Sequence, residues 1–165
     1  MISRFERFSF VISEISRHWH RIAADEMVKY GLKGHHALYL ITMKRYPDGI
    51  TATQLADICS RDKSDVSRAM SLMEEKGLAQ KGTEGAKYRA LLKLTKAGNE
   101  AASQVEQSAM KAVEMASRGV SDANRETFYA TMDIISANLQ KIIDDGVFAN
   151  NSAADVHNEG ANTDE

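Results

Sequence analysis

The sequence predicts a mainly α-helical protein with one small β-hairpin, and three observations carry that expectation. Apolar residues recur at three- and four-residue spacing over long stretches near both ends of the chain, the period that lines side chains along one helix face. Only the segment 78–94 switches to the alternating period of strands. The composition is rich in Ala, Met, Glu and Lys, with a single proline and 7% aromatics, which favours helices. With 165 residues, 43% hydrophobic and 27% charged, the chain can bury one real core or two small ones.

Residues 2–29 predict a long helix. Phe5, Phe8, Ile12, Ile15, Trp19 and Ile22 form a seam, while Glu6, Glu14, Arg17, Arg21 and Asp25 lie off it. A seam this regular needs burial by a segment distant in sequence or by a second subunit. Gly31-Leu32-Lys33-Gly34 breaks the helix. A second helix, from about His35 to Arg45, is expected to turn Leu38, Ile41, Ala37 and Leu40 inward before Pro47-Asp48-Gly49 ends it with turn chemistry.

Thr51 to Gly77 reads as two short helices on a tight turn. Thr51 and Gln54 fit a capping box at the first start, and Leu55, Ile58 and Cys59 face inward. Ser60 and Arg61 make the turn, Asp62 is the expected cap of the second helix, and Gly77 is its terminating glycine. Along that helix Val66, Ala69 and Met73, with Leu72 beside them, form the buried side. Ser64, Ser67, Arg68, Ser71 and Glu75 follow the same spacing on the opposite side, with Lys63 at the N-terminal end. Short hydrogen-bonding groups for base edges beside cations for phosphates are what a helix in a DNA major groove requires. An ordinary solvated helix face produces the same stripe.

Leu78–Thr83 and Lys87–Leu94 predict two strands joined by Glu84-Gly85-Ala86, with Tyr88, Ala90, Leu92 and Leu94 on one face and Lys87, Arg89 and Lys93 mainly on the other. A basic hairpin directly after such a helix is the wing of a winged helix-turn-helix, and its cations suit a minor groove; edge-strand protection explains the same charges. Thr95 caps a further long helix, Lys96 to about Arg118, with Ala101, Val105, Ala109, Ala112 and Ala116 along one side. After a break at Gly119 to Asp122, a last helix from about Ala123 to Ile143 carries Phe128, Met132, Ile135, Leu139 and Ile142. Together the predicted organisation is a helical dimerisation module from residues 1–30 and 96–143, a winged helix-turn-helix DNA-binding domain over 31–95, and an acidic disordered tail over 144–165.

The formal net charge of −2 suits a DNA binder only once it is divided along the chain. The tail holds six acids and no Lys or Arg, leaving 21 bases against 17 acids in residues 1–143. Between Ser60 and Gly98 nine bases face five acids, and such local clustering is the electrostatic signature of nucleic-acid contact.

Other classes find little support. There is no glycine-rich phosphate loop, nucleophile elbow or spaced carboxylate pair, so neither enzymatic activity nor a cofactor is expected. One cysteine rules out an internal disulfide framework and suits a reducing cytoplasm; no apolar run approaches a membrane span, and Arg4, Glu6 and Arg7 interrupt any signal-like core. His18, His20, His35 and His36 are read as solvated or packed residues rather than a metal site, and Cys59 as a small buried residue rather than a thiol switch.

Asp62-Lys63-Ser64 leading to Val66-Ser67-Arg68, then Glu74-Glu75-Lys76-Gly77-Leu78, and Lys93-Leu94-Thr95 leading to Gly98 resemble the MarR family of bacterial winged-helix regulators over about residues 1–143. The resemblance implies a homodimer whose terminal helices interlock and a pseudo-palindromic operator of double-stranded DNA. It further implies repression relieved when a small-molecule effector or an oxidant acts near the junction of the dimer and DNA modules; no membrane partner is expected. By this reading Arg61, Lys63, Ser64, Asp65, Ser67, Arg68, Ser71, Lys87 and Arg89 contact DNA, and Trp19, His20, His36, Tyr39 and Met43 line an effector cleft. The family's wing usually carries an Asp-x-Arg pair; Ala86 and Tyr88 stand at those positions, which shifts the burden of specificity onto the second helix of the helix-turn-helix. The alternative is a dimeric winged-helix protein-interaction module that does not read DNA sequence.

Overall fold

A computed structural model describes residues 3–82 and 90–147. The chain falls into two compact units, residues 1–115 and 116–165. The first begins with α1 (Arg4–Met27), started by a capping box between Ser3 and Glu6, and continues through a short 3-10 turn over Val28–Tyr30. There follow α2 (His36–Lys44), α3 (Ala52–Ile58), α4 (Lys63–Glu75), β1 (Ala79–Lys81), β2 (Leu92–Leu94) and α5 (Lys96–Ala116). The second unit contains α6 (Asp122–Asp144).

The core of the first unit is built where α2, α3, α4 and the strands meet. Tyr39, Leu40 and Met43 of α2, Leu55 and Ala56 of α3, and Val66, Ala69, Met70 and Met73 of α4 are buried together with Ile50 and Leu92. Ala101, Ala102 and Val105 close it from α5. The strands pair antiparallel with Ala79 opposite Leu94 and Lys81 opposite Leu92, and Leu92 also bridges Ile50 through bonds of 3.0 and 2.8 Å. Among the described residues, Leu78, Gly82, Ala90 and Leu91 fall outside the paired strands that the alternation predicts. Their expected tip, with Glu84, Gly85, Ala86, Lys87, Tyr88 and Arg89, lies outside the described residues, as do the side chain of Phe5 and the tail from residue 148.

Two inward assignments are corrected. Leu38 and Ile58 are each 49% exposed, while His36 and Thr42 are buried beside Tyr39 and Met43. In α2 the buried set covers His36, Tyr39, Leu40, Thr42 and Met43, so polarity alone misplaced its phase. Thr42 earns its interior place by meeting Cys59 Sγ at 3.6 Å, a contact between α2 and the end of α3.

The joint between β2 and α5 explains one glycine. The Thr95 hydroxyl donates to the Gly77 carbonyl (2.7 Å) and accepts from the Gly98 amide (3.0 Å), and the Thr95 amide reaches the Leu78 carbonyl at 3.0 Å. The α5 backbone is thereby drawn so close that a Cβ on Gly98 would lie 1.8 Å from the Leu78 oxygen. Gly98→Ala is expected to lower stability by about 3 kcal/mol, at the top of the usual cost of overpacking, because backbone rather than a mobile side chain must yield. Urea denaturation of the two proteins measures this.

Candidate nucleic-acid interface

The turn between α3 and α4 is determined by backbone bonds. The Thr51–Gln54 capping box is complete, with Gln54 N to Thr51 Oγ1 at 3.2 Å and Thr51 N to Gln54 Oε1 at 3.1 Å. At the other end α3 closes in a Schellman arrangement: Arg61 N donates to Ala56 O (2.9 Å) and Ser60 N to Asp57 O (3.2 Å). Ser60 therefore holds φ +50°, the only positive φ at a non-glycine among the described residues. α4 ends in the same way on Gly77, where Leu78 N reaches Met73 O at 2.8 Å. Asp62 sits at the α4 N-cap with extended backbone, but its side chain makes no cap bond, a correction to the expected capping role.

Burial then sorts α4 into two sides. Val66, Ala69, Met70 and Met73 are buried; Lys63, Ser64, Ser67, Arg68, Ser71 and Glu75 are exposed, with Arg61 exposed just before the helix. The helix has 13 residues, or roughly 20 Å at 1.5 Å per residue, a length a major groove accommodates. The Ser71 hydroxyl donates back to Ser67 O at 3.1 Å, which leaves its lone pairs outward. Arg68 is 72% exposed at its side chain and lies 3.7 Å from Asp65 Oδ1. Lys81 is paired with Glu74 at 2.8 Å, so this strand cation is already engaged. The expected wing contacts Lys87 and Arg89 fall outside the described residues.

Asp65 departs from the rest of the stripe. Its Oδ2 accepts from the Tyr39 hydroxyl at 2.6 Å and lies 3.5 Å from His35 Nε2, so the carboxylate turns back toward α2. The Tyr39 hydroxyl holds the Asp65 carboxyl below its ordinary range, while burial, and then Asp65, raise the Tyr39 phenol.

Behind this contact lies a cavity of about 230 Å³ between α1, α2, the α3–α4 turn and α5. Trp19, His20 and Tyr39 line it as expected; His36 and Met43 do not. Their absence has a physical reason, since both are packed into the core, with His36 4% and Met43 1% exposed. Sequence reasoning missed Ile22, Ala23, Glu26, His35, Leu38, Ile41, Cys59, Val105, Ser108 and Ala109, and it assigned Arg61 to DNA alone although Arg61 also borders the cavity. The apolar seam of α5, with Val105 and Ala109, carried part of that signal, but only tertiary packing brings these residues together. Glu26 is paired with Lys29. Among the described residues no group of three or more His, Cys, Asp and Glu could hold a metal ion. Burial raises the Cys59 thiol, which lowers its reactivity.

His36 is the cavity's buried neighbour. It stacks on Tyr39 with ring centroids 5.9 Å apart, its Nδ1 accepts weakly from Lys33 N at 3.3 Å, and desolvation lowers its pKa from 6.5 to about 4. A histidine whose folded pKa lies below its unfolded one binds protons preferentially on unfolding, so stability is lost as pH falls from 6.5 toward 4. We expect a loss of about 3 kcal/mol across that window in urea melts, and His36→Gln should flatten it.

Three comparisons bear on this architecture. The model of the MarR family matches residues 30–90. No curated protein matches the chain. Among solved structures, a MarR-family regulator from Listeria monocytogenes complexed with 26mer DNA superposes with a TM-score of 0.72 at 22% identity, covering 93% of this chain and 95% of that one. The S. aureus MepR–DNA complex gives a TM-score of 0.70 at 19% identity, over 83% and 99% of the two chains. CouR from Rhodococcus jostii RHA1 bound to p-coumaroyl-CoA gives 0.67 at 17% identity, over 78% and 90%. These likenesses establish a shared fold, mainly helical with a two-stranded antiparallel hairpin.

Proposed function

Starting from a chain whose residues 30–90 match the model of the MarR family, we propose that this protein is a dimeric, sequence-specific DNA-binding regulator of transcription whose α4 enters the major groove. The observation that carries the reading is the division of α4: one side is consumed by the core, and the other presents Ser64, Ser67, Arg68 and Ser71 with Lys63 and Arg61 at its leading end. Serines offer donors and acceptors to base edges, and the cations neutralise phosphates. Lys87 and Arg89 are proposed as wing contacts on their sequence position alone. The Listeria monocytogenes regulator and MepR, both solved with DNA, share the fold, which supports the same use of it here.

Dimerisation follows from what a lone chain leaves uncovered. Phe10 is 69% exposed, Ile15 53% and Ile22 48% on α1, while on α6 Ile134 is 63% and Ile143 71% exposed. Apolar surface on this scale marks an interface, and residues 1–30 with 96–143 are proposed as its source. A twofold dimer then reads a pseudo-palindrome, its two recognition helices about 34–36 Å apart. The cavity is proposed as the effector site through Trp19, His20 and Tyr39, with His35 and Arg61 added and His36 and Met43 withdrawn. CouR, whose structure holds p-coumaroyl-CoA, supports ligand control, and repression is proposed as the mode of action. The reading is of a cytoplasmic transcription factor, not an enzyme. No helix among the described residues is long and apolar enough to cross a membrane.

Selection of duplexes from a random library, followed by salt titration, tests the function. A DNA reader enriches a pseudo-palindrome and shows a log-log salt slope of about −0.9 per phosphate contact. Arg68→Ala should weaken binding about tenfold, and Lys63→Ala should reduce the slope by about 1. Enrichment of no sequence at any salt would overturn this reading in favour of a winged-helix protein-interaction module.

A further inference from the structure

We propose that Asp65 is a positioning residue, whose carboxylate, gripped from the cavity side by Tyr39 and His35, sets the seat of the first turn of α4. The inference rests on the DNA-reading function proposed above and removes Asp65 from the base contacts. Three observations support it. The Tyr39 hydroxyl donates to Oδ2 at 2.6 Å, within the short range of bonds to an ionised acceptor. Tyr39 is fully buried and stacked on His36, so its hydroxyl is a fixed point to which α4 is tied. His35 Nε2 approaches the same oxygen at 3.5 Å, while the other oxygen, Oδ1, faces Arg68 at 3.7 Å.

One carboxylate thus stands between the cavity wall and Arg68, an exposed cation of α4. Lengthening the Tyr39 bond frees the first turn, which carries Ser64 and precedes Ser67 and Arg68 by less than one helical turn. A base-reading aspartate has the opposite need, a carboxylate pointed outward to accept from cytosine. Tyr39 and His35 both line the cavity, so a molecule held there would meet the two residues that hold Asp65. The charged and titratable groups acting on Asp65 are His35, His36 and Tyr39 from the α2 side and Arg68 on α4 itself.

The test compares Tyr39→Phe, Asp65→Ala, Asp65→Asn and the Tyr39→Phe/Asp65→Ala double variant on the duplex selected by the unaltered protein. Tyr39→Phe and Asp65→Ala should each weaken binding about tenfold without changing the preferred sequence, and the double variant should be no weaker than either. Asp65→Asn keeps an acceptor for Tyr39 and should stay within about fivefold of the parent. Carboxyl 13C titration should show the Asp65 pKa rising in Tyr39→Phe, which loss of packing alone would not cause. A changed base preference in Asp65→Ala, multiplicative losses, or an unmoved Asp65 pKa would overturn the proposal. Should the unaltered protein select no duplex, the DNA reading fails. Amide exchange over residues 64–68 then decides the seat: faster exchange in both single variants supports it, and unchanged exchange overturns it.

Discussion

A helix can present a constant surface to a partner only if its other side is immobilised, and here that constraint falls on α4. Val66, Ala69, Met70 and Met73 are all at most 2% exposed, and they meet Leu55 and Ala56 of α3 and Leu40 and Met43 of α2 in one cluster. Such close-packed interiors resist sub-ångström rearrangement, so the outward stripe inherits its direction from the core. The helix ends serve the same purpose. Schellman closures at Ser60 and Gly77 fix where α4 is entered and left, and Thr95 ties its exit to the start of α5.

Polar groups inside this framework are few and each is explained by a partner. Thr42 meets Cys59, and His36 is kept neutral by desolvation while stacked on Tyr39. Lys44 pairs with Glu106 at 2.6 Å and the Tyr30 hydroxyl donates to Gln104 at 2.8 Å, so α5 is held to the rest of its unit by polar bonds as well as by Ala101, Ala102 and Val105. The cavity occupies the space these contacts leave. Its wall is largely apolar, with Trp19 at 41% exposure, and polar atoms enter from Glu26, His20, His35, Arg61 and Ser108.

Solved structures at 17–22% identity share this fold, which requires that the pattern of burial be kept while most side chains change. Gly98 illustrates how such a pattern is enforced locally, since its place against the Leu78 carbonyl admits no Cβ. Ser60 illustrates tolerance, for a serine carries the left-handed conformation that glycine ordinarily supplies.

The chain alone determined the elements and the two sides of α4, because helical periodicity, the Thr51–Gln54 box, Gly77 and the Lys93-Leu94-Thr95 motif are local signals that neighbouring residues impose on one another. It also determined which residues are available on the outward stripe. Local rules failed where a polar residue found an interior partner, at His36 and Thr42, and where an apolar one was left uncovered, at Leu38 and Ile58. Tertiary structure alone decided the composition of the cavity, which joins residues as far apart in sequence as Trp19 and Ala109. It also decided the orientation of Asp65. Helical spacing set that carboxylate beside the exposed serines, and a buried tyrosine from 26 positions earlier in the chain turned it inward, a contact that no local pattern encodes.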